Sequence, residues 1–340
     1  MPPDTAEYAV LGSGVVGLTT AVELAARGAA VTLYADRVVH PRASEAAPAL
    51  FTPYPGPDLA RFQRWTERSL SRFKRIAGED GPESGVDLGI LRQYFYKPAP
   101  VFPWLDTLLN VRPIRPVPAP CLDATTGDCP HIDMHRYLPW LESRARAGGV
   151  TFVDRGVAAI DDLFAVGHRV VLNCAGYGAR ALAADPLVRA MHGQVLHVPN
   201  DIGLDYSIHD DAPVREGSRE GLVAYIFVFR DRLVLGGTFE GGREKGTTDR
   251  PTLDAIVERC RGLLRLDGHP RWRDLARHEI GAFAGVRPAR GGPAQFEATR
   301  VERVERAGRR VIVHNYGHGR SGVTFSWASA EAAADLALGA

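Results

Sequence analysis

Hydrophobic positions along this chain follow two rhythms. At both ends, and once in between, continuous apolar runs alternate with segments whose apolar residues return every three or four positions. Tyr8-Ala9-Val10-Leu11 is such a run; Leu18, Ala21, Val22, Leu24 and Ala25 follow at helical spacing, Gly28 closes that helix, and Ala30-Val31-Thr32-Leu33-Tyr34 is a second run. Val150-Thr151-Phe152-Val153, Val170-Val171-Leu172-Asn173 and Arg310-Val311-Ile312-Val313 repeat the pattern, the last leading into an alanine-rich helix. Buried strands joined by packed helices make a parallel sheet. From about residue 191 the texture becomes that of antiparallel strands: 193–198, 222–228 and 232–238, the last two joined by Phe229-Arg230-Asp231 as a hairpin, then a helix over 253–264. Between residues 41 and 57 five prolines predict irregular chain. Helices are predicted over 60–76 and 134–147, the second capped by Asp133. Up to residue 130 prolines mix with short apolar runs, and no strands are assigned there.

Two junctions in this pattern are rich in glycine. Gly12-Ser13-Gly14-Val15-Val16-Gly17 lies between the first strand and first helix. There Gly12 permits a tight turn, Gly14 lets a pyrophosphate approach the backbone, and Gly17 lets helix and strand pack closely. The acid expected to hold a ribose is displaced by one position: the second strand ends Ala35-Asp36-Arg37, where Asp36 can reach a ribose hydroxyl and Arg37 could instead take a 2′-phosphate. The second junction is His314-Asn315-Tyr316-Gly317-His318-Gly319-Arg320-Ser321-Gly322-Val323-Thr324. Two such turns on one sheet can grip the two ends of one long cofactor.

Composition narrows the picture further. Among 340 residues, 41 are basic and 40 acidic, a net charge of +1, and no basic arm or stripe points to nucleic acid or a membrane surface. Mean hydropathy is −0.13, no apolar run approaches the roughly 18 residues of a membrane span, and the N-terminus lacks the pattern of a secretory leader. A cytoplasmic protein is expected. The four cysteines, Cys121, Cys129, Cys174 and Cys260, lack metal-binding spacing; Cys121 and Cys129 bracket a turn-rich segment that could close a local disulfide, and Cys174 reads as an inert core residue. No metal is expected.

The full set of blocks resembles the D-amino acid oxidases of the glycine oxidase and sarcosine oxidase superfamily over nearly the whole chain. The likeness rests on Gly12 to Leu18, Tyr34-Ala35-Asp36-Arg37, Asn173-Cys174-Ala175-Gly176, Gly193-Gln194, Leu235-Gly236-Gly237, and most specifically on Gly285-Val286-Arg287-Pro288-Ala289-Arg290 and the His314 to Gly319 block. It implies an α/β protein with a Rossmann-like FAD-binding domain on a parallel sheet, interleaved with an α+β substrate domain on an antiparallel sheet. The expected boundaries are 1–46, 133–190 and 281–340 for the FAD-binding domain and 47–132 and 191–280 for the substrate domain.

The resemblance implies FAD as cofactor, held by Gly12, Ser13, Gly14, Val15, Val16, Gly17, Asp36, Arg37, Ala43, Ser44, Ala49, Leu50, Val157, Ala175, Gly176, Gly317, Gly319, Arg320, Ser321, Gly322, Val323 and Thr324, with a helix beginning near Gly322. It implies Arg287 as the fork for a substrate carboxylate, Tyr225 as a second donor to it, the Arg320 carbonyl as acceptor for the substrate amine, and Leu50 and Phe227 as pocket wall. From the residues alone, Arg287 could equally be a surface arginine at a strand end and Tyr225 a core aromatic. The implied reaction is oxidation of a neutral D-amino acid with O2 to a 2-oxo acid, ammonia and hydrogen peroxide, by hydride transfer to FAD with no side chain acting as acid or base. D-Aspartate or D-glutamate oxidation, a glycine or sarcosine type of amine oxidation, and a non-catalytic flavin-binding role are the alternatives; Arg320 or Arg215 would supply the extra cation for the first. A lid tyrosine of the family falls at Gly221, so a wider pocket mouth is expected. A homodimer is left open.

Overall fold

The computed structural model describes residues 7–36, 43–56, 58–98, 101–211, 222–291 and 298–339. Two sheets organise them. The smaller has six strands in the order Arg300–Arg306, Arg310–Tyr316, Val170–Asn173, Tyr8–Leu11, Val31–Ala35 and Thr151–Asp154. All its pairs are parallel except the Arg300–Arg306 edge, which is antiparallel to its neighbour. Every residue of Val170–Asn173 is buried, as a strand covered on both faces must be. Helices Val15–Ala26 and Ser326–Leu338 pack on one face of this sheet with Met134–Ala147 beside them. The Trp327 indole donates to the Tyr137 hydroxyl at 2.7 Å, tying the last helix to Met134–Ala147.

The larger sheet runs Glu240–Gly241, Val188–Val198, Leu233–Thr238, Leu222–Val228, Ser207–Asp210, Val86–Phe95, Asp123–Ile132 and Ala49–Leu50, with Gly281–Arg290 also paired to Val188–Val198. It is antiparallel apart from one parallel pair, Ser207–Asp210 with Val86–Phe95. The hairpin at Phe229 forms as expected, its N–H donating to the Arg232 carbonyl at 2.9 Å. Arg232 then forks onto buried Asp133, at 2.6 and 3.0 Å, while the same carboxylate accepts the His135 N–H. One aspartate thus caps the Met134–Ala147 helix and clamps it to the hairpin.

Several expectations from the sequence are corrected. The segment between Cys121 and Cys129 is not a turn: it enters the ten-residue strand Asp123–Ile132, antiparallel to Val86–Phe95. About 20 Å of extended backbone separates Asp123 from Cys129, far beyond disulfide reach, and all four cysteines are free. Thr, Gly and Asp in that strand resemble turn chemistry, and cross-strand pairing overrides it. Gly281–Arg290, placed by sequence at the head of the last nucleotide segment, belongs to the larger sheet, and Arg300–Arg306 was not foreseen. The final helix starts at Ser326 rather than Gly322, preceded by a tight 3-10 turn over Gly319–Ser321.

Candidate active site

Gly12 adopts φ +102°, and a Cβ there would lie 2.5 Å from the Cys174 carbonyl oxygen; one on Gly17 would lie 1.9 Å from the Gly12 carbonyl oxygen. Both contacts are with backbone that cannot yield, so only glycine lets helix Val15–Ala26 seat on its strand. Gly14 is different: a Cβ there would meet only the Ser44 Oγ, at 3.3 Å. Ser44 accepts the Val15 N–H at 3.0 Å, which is the first free amide of the helix. The N-terminus of this helix has no side-chain cap of its own, so the approach past Gly14 is open to an anion. Gly285 would bring a Cβ to 3.0 Å of the Ala46 Cβ and 3.5 Å of the Ala43 carbonyl. Strand Gly281–Arg290 therefore lies directly against the segment carrying Ala43 and Ser44.

The second glycine junction joins the first through the two packed helices. Thr19 donates to the Ser326 carbonyl at 3.2 Å, and Asn315 donates to Thr20 and to the Ser329 carbonyl. His318 is buried and bonded to Ser329 at 3.1 Å, and burial holds its pKa down to about 3. His314 is held down to about 4 by burial as well. Both rings are neutral structural groups. Ser321 is 1% exposed, and its Oγ has no hydrogen-bond partner among the described residues. A buried hydroxyl without a partner costs stability unless a bound group supplies one. Asp36 ends strand Val31–Ala35, 3.4 Å from where a Cβ on Gly156 would stand, next to Val157. Asp36, Gly14 and Gly176 thus all lie at carboxyl ends of parallel strands, where open α/β sheets bind dinucleotides.

In the larger sheet, glycines make room for two of the expected substrate-binding side chains. A Cβ on Gly193 would sit 2.2 Å from one Arg287 terminal nitrogen, and Cβ atoms on Gly236 and Gly237 would lie 2.2 and 2.5 Å from the Tyr225 hydroxyl. Arg287 and Tyr225 fill the space those glycines leave. Arg287 donates to the Thr238 carbonyl at 3.0 Å and lies over the Phe239 ring at 4.5 Å. Its pKa is lowered, chiefly by burial, with Tyr225 opposing and Arg320 adding to the shift. No carboxylate among the described residues pairs with it. Tyr225 stacks on Phe227 with ring centroids 4.3 Å apart, and burial pushes its phenol up to about 12. Leu50, Tyr225 and Phe227 share one apolar cluster. Pro288 lies in a ten-residue strand that pairs along its length with Val188–Val198 and carries on its other side the isolated bridge of Ala289 to His318.

Among the residues expected from the sequence, Arg287 and Tyr225 act on each other on the larger sheet and Ser44 meets the turn at Gly14; Arg37, Arg215 and Gly221 lie outside the described residues. Arg290 is on the opposite strand face from Arg287 and pairs with Asp185 at 2.7 Å. Gln194 holds Asp249, the cap of helix Arg250–Leu266, through two hydrogen bonds. Sequence reasoning did not single out Phe239, nor Tyr54, whose ring lies 3.7 Å from the Arg320 guanidinium carbon. An aromatic between two prolines was the available signal for Tyr54.

Residues 7–336 match the model of the FAD dependent oxidoreductase family. The chain belongs to this family. It is 36% identical to a D-amino-acid oxidase of Streptomyces coelicolor over 336 residues, covering 97% of this chain and 96% of that protein. It is 31% identical to human D-aspartate oxidase over 359 residues, covering 98% and 95%. Among solved structures, glycine oxidase from Geobacillus kaustophilus superposes with a TM-score of 0.74 at 17% identity, over 98% of this chain and 94% of that one, a likeness of fold. FAD is the cofactor of the family, and the open approach at Gly14, the carboxyl-end position of Asp36 and the orphaned Ser321 hydroxyl fit it. No helix of the described residues is long and apolar enough to cross a membrane.

Proposed function

We propose that this enzyme oxidises neutral D-amino acids with O2, giving 2-oxo acids, ammonia and hydrogen peroxide. The observation that carries the reading is Arg287, a guanidinium drawn out of water beside the Tyr225 hydroxyl with no carboxylate partner among the described residues. A half-buried cation of this kind calls for an anionic ligand. Arg287 would give the substrate carboxylate two parallel charge-assisted bonds and Tyr225 a third. The Arg320 carbonyl would accept from the free amine, and Leu50, Phe227 and the apolar wall would exclude water from the α-carbon. FAD, when bound, supplies the hydride acceptor and the route to O2. The turn Gly319–Ser321 and the peptide groups through Thr324 would hold the cofactor, with Gly12 to Gly17, Asp36, Ala43, Ser44, Ala49, Val157, Ala175 and Gly176 along the rest of it.

Oxidation of D-aspartate or D-glutamate is the second reading, favoured by the Arg320 cation whose charge acts on Arg287. Anaerobic mixing of the purified yellow protein with D-alanine, D-valine, D-phenylalanine and D-aspartate separates them. Bleaching by the neutral substrates, with peroxide formed on admitting air, supports the first reading; bleaching by D-aspartate alone supports the second. A flavin that stays oxidised with all four defeats both.

A further inference from the structure

Tyr54 sits in Pro53-Tyr54-Pro55, just past strand Ala49–Leu50. Proline fixes φ at 53 and 55 and restricts the residue before it, so the backbone that presents the Tyr54 ring is held stiffly. The ring meets the guanidinium of Arg320 at 3.7 Å. Arg320 is the middle residue of the Gly319–Ser321 turn, whose own backbone is permissive: Gly317 and Gly319 both take positive φ, +83° and +59°, and Gly322 follows. On its inner side the turn is anchored by buried His318 and Ser321. On its outer side Arg320 is exposed, and its guanidinium lies against the face of the Tyr54 ring.

We infer that Tyr54 is a positioning residue for the substrate amine: by holding the Arg320 side chain it fixes the Gly319–Ser321 turn, and with it the Arg320 carbonyl. The inference rests on the proposed reading of that carbonyl as the amine acceptor. A cation–π contact at a partly exposed site is sufficient to keep one turn conformation dominant. Loosening it lowers the fraction of protein competent to bind, which weakens apparent affinity by that fraction and leaves chemistry in the bound complex as it was. The contact needs the aromatic face and not the hydroxyl.

The test uses the FAD-loaded protein and two ligands that differ by the amine, D-alanine and propionate. Anaerobic flavin reduction at varied D-alanine gives a half-saturating concentration and a limiting rate; inhibition by propionate gives its Ki. Tyr54→Leu is expected to raise the D-alanine half-saturation about three- to tenfold, the loss that such a contact supports. The limiting rate and the propionate Ki should stay within about twofold of wild type, because Arg287 and Tyr225 still hold the carboxylate. Tyr54→Phe should restore D-alanine binding. Wild-type D-alanine binding in Tyr54→Leu, equal loss of D-alanine and propionate, or failure of Tyr54→Phe to rescue each overturns the inference. A wild-type protein whose flavin no D-amino acid bleaches overturns the functional reading instead, and this inference with it.

Discussion

At position 193 a single methyl group decides where Arg287 can go. A Cβ would stand 2.2 Å from its terminal nitrogen, and the obstruction is the movable end of a side chain, so Gly193→Ala should fold, retain FAD and displace the guanidinium. A drop in kcat/KM for D-alanine of about tenfold or more is expected from the misplacement, with the yellow colour unchanged after gel filtration. Arg287→Ala should go further, losing about 3 kcal/mol or more of substrate and transition-state binding, and Arg287→Lys should recover little, since an ammonium lacks the fork. Steady-state kinetics of both variants measure this; activity like that of the wild type in either would remove Arg287 from the site. The sequence named Arg287 and Tyr225 only through the company they keep. An arginine before proline is ordinary on a surface, and what distinguishes this one is a glycine 94 positions away, brought beside it by strand pairing. Tyr54 was beyond reach for the same reason, since its partner Arg320 lies at the other end of the chain.

At the level of the strand-turn-helix element, the three glycines of the first turn should fail differently. Gly17→Ala places a Cβ against backbone and should cost stability, about 1 to 3 kcal/mol or more for a forced overpacking, read as a lower Tm of the apoprotein. Gly14→Val meets only Ser44, so the fold should survive while FAD is lost, because the side chain enters the space a pyrophosphate needs. Absorbance after gel filtration alongside thermal unfolding distinguishes the two; full FAD retention in Gly14→Val would exclude this turn as the phosphate site. This element was legible because glycine spacing, apolar period and strand length all agree over a short window. The Val86–Phe95 and Asp123–Ile132 pair was not, since those strands are specified by each other across some forty residues and carry the Gly, Asp and Thr of a turn.

Across the whole molecule, neutral histidines lie buried where the two sheets and their helices meet. His131 and His197 are held down to about 4 by burial, as are His314 to about 4 and His318 to about 3. The unfolded chain takes up these protons near pH 6.5 and the folded one does not until far lower, so stability is complete above about pH 6.5 and falls as pH drops through the window to 4. Each such group removes at most about 1.4 kcal/mol per pH unit, so Tm should decline steeply below pH 6, and His131→Gln should flatten the decline. A Tm that is level between pH 6.5 and 4.5 would contradict it. The interleaving of the two sheets was visible in the sequence as alternating rhythms, but the membership of Gly281–Arg290 was not, because strand partners are chosen by the completed sheet. That same strand sets a practical property of the purified protein. A guanidinium withdrawn from water and resting on one carbonyl makes the folded state weaker than it would be with an anion in place, so buffer composition becomes a variable of stability. Acetate or propionate at a hundred times its dissociation constant would add about 2.7 kcal/mol, raising Tm by several degrees, where chloride at equal ionic strength, lacking two oxygens to match the fork, would add far less.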